Sequence, residues 1–187
     1  MTLFARPTEA APQSGLTLYG SVDSGRRGET IDIQARDCGQ RSFHIAGGAH
    51  TGSGGEWSTE FFPGINTTLR AVWQGNASPE IAVRQRASVR LRTLPGAPGR
   101  FEALIVAKVP FWRKRVLFQR LQGTWKTVKP VLLTESVARP GAVYIWSSAK
   151  FRTSLARGTR VRVLLPSTAA RPCYVGAASR LLRVGSS

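Results

Sequence analysis

Few side chains in this sequence are able to do bond-making chemistry. There are two histidines, His44 and His50, two cysteines, Cys38 and Cys173, and ten carboxylates against 27 Lys and Arg. His44 sits in the strand-like Ser42-Phe-His-Ile45, on the face opposite Phe43, and His50 lies in the Gly-rich segment 47–55. No Cys, Asp or third His shares a ligand spacing with them, so they read as solvated or packed imidazoles rather than a metal pair. Glu56 and Glu60 share one face of a strand, but four strand residues span about 13 Å, too far for either glycosidase geometry. No Gly-x-Ser-x-Gly elbow, His-Glu-x-x-His helix, P-loop or dinucleotide fingerprint occurs. Segment 47–55 has no Lys and runs into a strand instead of a helix, so it lacks the amide-lined cradle that holds phosphate and reads as a mobile loop. The expectation is a protein that is not an enzyme, with no metal and no cofactor.

The cysteines leave two readings open. Joined, Cys38 and Cys173 would close a loop across most of the chain and constrain the unfolded state by about 5 kcal/mol. Apart, they would be two buried free thiols, and the separation of their Cα atoms decides between these.

The strongest signal is charge. The formal net charge is +17 over 187 residues. Residues 1–87 hold eight arginines and eight acids, whereas residues 88–187 hold the other 19 bases and only Glu102 and Glu135. The entire excess therefore belongs to the second half. Within it, Arg113, Lys114 and Arg115 follow Phe111 and Trp112 at a strand entry, Arg160 and Arg162 alternate with Val161 and Val163, and Arg90 and Arg92 repeat that alternation. Rows of guanidinium on one sheet face suit a phosphate-rich or carboxylate-rich polymer, bound with steep salt dependence. Candidates are an anionic cell-surface polymer, an anionic polysaccharide, lipid headgroups or nucleic acid. Arg outnumbers Lys 22 to 5, so a solvated Arg-rich surface without a ligand stands beside that reading. No recognition helix, zinc finger or RRM signature supports base-specific reading.

The elements that position these residues repeat. Leu16-Thr-Leu-Tyr-Gly-Ser-Val22 parallels Ala103-Leu-Ile-Val-Ala-Lys-Val109, and Thr30-Ile-Asp-Ile-Gln34 parallels Arg115-Val-Leu-Phe-Gln119. An aromatic follows a turn in both, Phe43 and Trp125. Glu56-Trp57-Ser58 then matches Ile145-Trp146-Ser147, Thr67–Val72 matches Thr159–Leu164, and Ala77-Ser78 matches Ala178-Ser179. Alternation of period 2 in these segments predicts strands, and the Gly/Pro clusters at 23–28, 47–55, 63–64, 95–99 and 139–141 predict turns. No window carries an amphipathic helix of three turns. About seven short strands per copy is the rhythm of a β-sandwich. The predicted fold is all-β, two tandem immunoglobulin-like Greek-key sandwiches over 1–86 and 87–187, joined by a very short connection. A hydrophobic fraction of 42% with 16 aromatics argues against disorder, and no apolar run is long enough for a membrane span.

The ordered set of a Gly-Glu-Thr-Ile strand ending in Gln, an aromatic after a turn, Gly-Gly-Glu-Trp-Ser, Asn-Thr-Thr-Leu-Arg-Ala-Val-Trp and Ser-Pro-Glu-Ile-Ala-Val resembles the bacterial Ig-like repeats of secreted and surface proteins, particularly of actinobacteria. The resemblance spans residues 16–184. It implies a non-enzymatic spacer, adhesive or binding module at the cell surface or outside the cell, and it brings no catalytic residue. Met1–Arg6 is too short and polar for a signal peptide core. Thr2–Ala5, joined to the sandwich by a loose stretch at 6–15, is read as a strand able to pair with a neighbouring subunit's edge, which would make a homo-oligomer, filament or lattice. Asn66-Thr-Thr68 matches a glycosylation sequon.

Overall fold

The computed structural model describes residues 1–96, 98–138 and 140–185. Ala97 in the predicted turn at 95–99, Arg139 at the start of that at 139–141, and Ser186 and Ser187 lie outside the described residues. The chain divides into two compact units, Met1–Arg86 and Ala87–Ser187.

The first unit consists of strands β1 (Phe4–Arg6), β2 (Glu9–Ala10), β3 (Leu16–Ser21), β4 (Thr30–Asp37), β5 (His44–His50), β6 (Glu56–Phe61), β7 (Thr67–Trp73), β8 (Asn76–Ala77) and β9 (Ile81–Gln85). One sheet has the order β1-β3-β6 and the other β2-β9-β7-β4-β5, with β8 beside β7. The chain changes sheet between β3 and β4, β5 and β6, and β6 and β7, which is the immunoglobulin-like Greek-key path. Period-2 patterning decides which face is buried: Leu16 and Leu18 on β3, Ile31 and Ile33 on β4, and Leu69 and Ala71 on β7 close on Trp57 of β6. Each such aliphatic side chain removed from water contributes about 1.5–3 kcal/mol.

The second unit consists of β10 (Ser88–Thr93), β11 (Arg100–Ala107), β12 (Arg115–Gln122), β13 (Thr124–Leu132), β14 (Glu135–Ala138), β15 (Ile145–Arg152), β16 (Arg160–Leu165), the single-turn helix α1 (Ser167–Ala170), β17 (Ala177–Ala178) and β18 (Leu182–Arg183). Its sheets are β10-β11-β15-β14 and β13-β12-β16-β17, with β18 also pairing β16. Between them Phe101, Phe118 and Phe151 pack as a triad, with ring centroids 5.0–5.7 Å apart. Helix α1 was not foreseen in the sequence; it is one turn held by the Pro166 carbonyl, which accepts from the Ala169 and Ala170 amides.

Two expectations are corrected. Residues 47–50 belong to strand β5, paired with β4 around an irregularity at Ile33/Gln34, so His50 ends a strand and does not sit in a loop. Gly47 and Gly48 stand opposite Ile33 and Asp32 in this ladder, and backbone pairing of this kind needs no side chain. The N-terminal segment is not loose: β1 pairs with β3 and β2 with β9 inside its own unit, and Leu3 and Ala10 enter the core. The strand read as available for donation is thus already used in cis.

One device recurs in both units. The Ser78 hydroxyl accepts from the Ala71 amide at 3.0 Å and donates to the Pro79 carbonyl, while the Ser179 hydroxyl accepts from Val163 at 3.0 Å and donates to Arg180. Both serines are buried. Replacing Ser179 by Ala strands the Val163 N–H, and urea titration is expected to show a loss of about 1–3 kcal/mol. An unchanged midpoint would mean that water replaces the hydroxyl.

Candidate functional site

The carboxylates define the site by where they are absent. The only two acids of the second unit, Glu102 on β11 and Glu135 on β14, both belong to the sheet β10-β11-β15-β14. The opposite sheet contains no Asp or Glu in β12, β13, β16, β17 or β18, and it carries seven bases: Arg115, Arg120, Lys126, Lys129, Arg160, Arg162 and Arg183. In β12 and β16 the inward residues are Val116, Phe118, Val161 and Val163, all buried, so Arg115, Arg160 and Arg162 point outward by alternation.

The outer face of that sheet has an ordered centre. Arg162 Nε donates to Gln119 Oε1 at 2.8 Å, and its guanidinium lies 4.1 Å from the centroid of the Trp125 ring. Burial lowers the pKa of Arg162, yet a guanidinium stays charged at any physiological pH. The first unit builds the same arrangement, with Arg70 Nε on Gln34 Oε1 at 2.8 Å and its guanidinium 4.2 Å from Phe43. There, however, Arg36 also stacks on Phe43 and pairs with Glu80 at 2.8 Å, so the charge is balanced locally. In the second unit nothing in the sheet supplies the acid.

Of the seven basic residues singled out in the sequence, five lie on or at the edge of this sheet. Arg160 stands opposite Arg183 in the ladder, beside Arg162. Arg115 stands at the other end of β12, opposite Leu132, six strand residues or roughly 20 Å away. Arg113 and Lys114 form the turn before β12, which is clipped to the end of β13 by Arg113 N–H to the Leu133 carbonyl and Leu133 N–H to the Lys114 carbonyl. Arg113 adopts φ +61°, and its guanidinium lies 4.5 Å from the ring of Trp112, which is 53% exposed. The face therefore presents two basic clusters separated by Leu117, Pro130 and Leu164. Arg90 and Arg92 do not join them: they lie on β10 in the other sheet, and Arg92 is bonded to the buried Glu102. Alternation showed that each pair shares a face, but not that the pairs occupy different sheets.

The remaining chemistry-bearing residues stay apart. His44 and His50 are exposed at opposite ends of β5, and Glu56 and Glu60 are exposed on β6. Among the described residues no three His, Cys, Asp or Glu side chains converge. Neither cysteine is a free thiol, and both Cys38 and Cys173 are disulfide-bonded. No helix among the described residues is long and apolar enough to cross a membrane.

One group of residues escaped the sequence reading. Arg100 and Arg152 are directly opposite in the β11–β15 ladder, and with Arg157 they line a cleft of about 830 Å³ at one end of the second unit. Fifty-two residues separate the first two in sequence, and only the register of the sheet makes them neighbours.

No protein-family model and no curated protein matches the sequence. Among solved structures, the human OSCAR ligand-binding domain is similar over 98% of this chain and 97% of that one, with 15% identity and a TM-score of 0.31. The immunoglobulin-like assignment rests on the strand order given above.

Proposed function

We propose that the chain is a non-enzymatic binding module of the cell surface or extracellular space, in which the outer face of β13-β12-β16 in the second unit engages a polyanionic polymer. The observation that carries this reading is the acid-free sheet, whose outward register holds Arg115, Arg160, Arg162 and Arg183 and no Asp or Glu, while both Glu residues of the unit are in the other sheet. Long-range attraction depends on net charge over a surface, and the strands of this sheet supply bases without any Asp or Glu. The clamped Arg162 contributes a preorganised guanidinium, because its stem is already ordered by Gln119 and Trp125. Oxidised cysteines fit an oxidising compartment, and the resemblance to bacterial secreted repeats points the same way.

The test is retention of the full chain on immobilised heparin. Retention at low salt with elution by NaCl is expected, since each neutralised anion on the polymer releases a counterion. The double variant Arg115→Glu/Arg160→Glu should elute at clearly lower salt, while Arg90→Glu/Lys150→Glu on the other sheet should shift elution less. Absence of retention at low salt, or equal shifts from the two pairs, would overturn the assignment.

A further inference from the structure

We propose that the cleft at the end of the second unit, lined by Arg100, Arg152 and Arg157, is a binding site for an anionic oligosaccharide, with the three guanidinium groups holding one sulfate or carboxylate group. This site lies outside the sheet face described above. It does not depend on the reading of that face.

The register of the ladder is the starting point. Arg100 and Arg152 are a directly opposed pair in antiparallel strands, and like charges so placed destabilise a sheet. One more cation lines the same corner: Arg157 enters the cleft from the segment before β16. Among the described residues none that lines the cleft is an acid. The nearest carboxylate in the ladder, Glu102, is one outward position along β11 and is already bonded by Arg92 and placed opposite Lys150. Arg100 uses one N–H on the Pro95 carbonyl at 3.3 Å, which leaves its other donors for a ligand. A fold that sets guanidinium against guanidinium in a concave corner, with no carboxylate among the described lining residues, is arranged for an anion, and the fork geometry of Arg suits a sulfate or carboxylate.

The rest of the lining selects the kind of molecule that carries the anion. Thr93, Thr153 and Ser154 present hydroxyls, and Leu94, Pro98 and Leu155 present apolar surface, the mixture that sugar hydroxyls and sugar C–H faces require. The volume falls within the range of small-molecule sites. The one aromatic in the lining, Phe101, is fully buried, so no ring is presented on which a base would stack, as single-stranded nucleic acid binding demands.

The experiment titrates the full chain with a heparin-derived tetrasaccharide by calorimetry in low-salt buffer and repeats it with Arg152→Gln and Arg157→Gln. Each substitution is expected to weaken binding about tenfold, the loss of one charge-assisted contact. The distinguishing readout is the melting temperature without ligand: Arg152→Gln removes the opposed pair and should melt at or above the wild type. The variant Arg115→Glu/Arg160→Glu should keep its tetrasaccharide affinity, so that failure of the sheet-face reading and failure of this one give different results. The proposal is overturned by unchanged affinity in both cleft variants, by an Arg152→Gln protein that melts below the wild type, or by no binding of the tetrasaccharide. It is equally overturned if a ten-nucleotide single-stranded DNA binds as tightly and loses the same factor on Arg152→Gln.

Discussion

Replacing Phe118 by Ala is expected to cost the second unit about 3–5 kcal/mol, the range for deleting a large aromatic side chain from a close-packed core. Phe118 is fully buried on β12, with ring centroids 5.2 Å from Phe101 and 5.0 Å from Phe151, the latter edge-on. It joins the two sheets, because Phe101 and Phe151 belong to β11 and β15 while Phe118 belongs to β12. Truncation removes buried area and leaves a void that Phe101 cannot fill without abandoning Phe151. Guanidinium chloride unfolding with a probe specific to the second unit is the measurement. A loss below about 1 kcal/mol would mean that the sheets close over the gap. Phe118→Leu, which keeps most of the volume, should recover a large part of the loss.

The second large effect is expected at Gly99. It has φ +76°, and a Cβ there would fall well inside contact distance of the Thr153 carbonyl oxygen. The same two residues are tied by Thr153 N–H to the Gly99 carbonyl at 2.9 Å. Gly99→Ala therefore combines a left-handed backbone that L-residues resist, about 1–2 kcal/mol, with a backbone clash that only displacement of one strand end relieves, about 1–3 kcal/mol more. Gly99 also lines the Arg100/Arg152 cleft. The variant should lose stability by the sum of those terms and, at temperatures where it is still folded, bind the tetrasaccharide more weakly than Gly96→Ala does. Thermal melts and titrations of the two variants side by side check this. A Gly99→Ala protein as stable as the wild type would show that the turn has another conformation open to it.

Much of the architecture was legible because strand patterning is local. The alternations Thr30-Ile-Asp-Ile-Gln34 and Arg115-Val-Leu-Phe-Gln119 each contain the inward pair that the structure buries, Ile31 with Ile33 and Val116 with Phe118. The aligned positions Gln34 and Gln119, Arg70 and Arg162, Phe43 and Trp125 form the same hydrogen-bonded, stacked trio in both units. Glycine misled at 47–50, since its freedom suggests a loop wherever pairing is unseen, yet an edge strand needs only backbone groups. The loose reading of 6–15 failed for a related reason: a two-residue parallel pairing such as Glu9–Ala10 with Arg84–Gln85 has no sequence period at all.

The amino-acid sequence by itself determined the class of fold, the confinement of all excess charge to residues 88–187, and the face on which each alternating arginine must stand, since these follow from composition and a two-residue repeat. The tertiary structure alone decided which strands share a sheet. That choice put Glu102 and Glu135 together and left β13-β12-β16 without an acid, sent Arg90 and Arg92 to the other side of the sandwich, and set Arg100 against Arg152. The physical reason is that strand partners are selected by long-range packing of buried side chains, so the electrostatic neighbours of the outward residues are imposed by a core to which those residues do not themselves contribute.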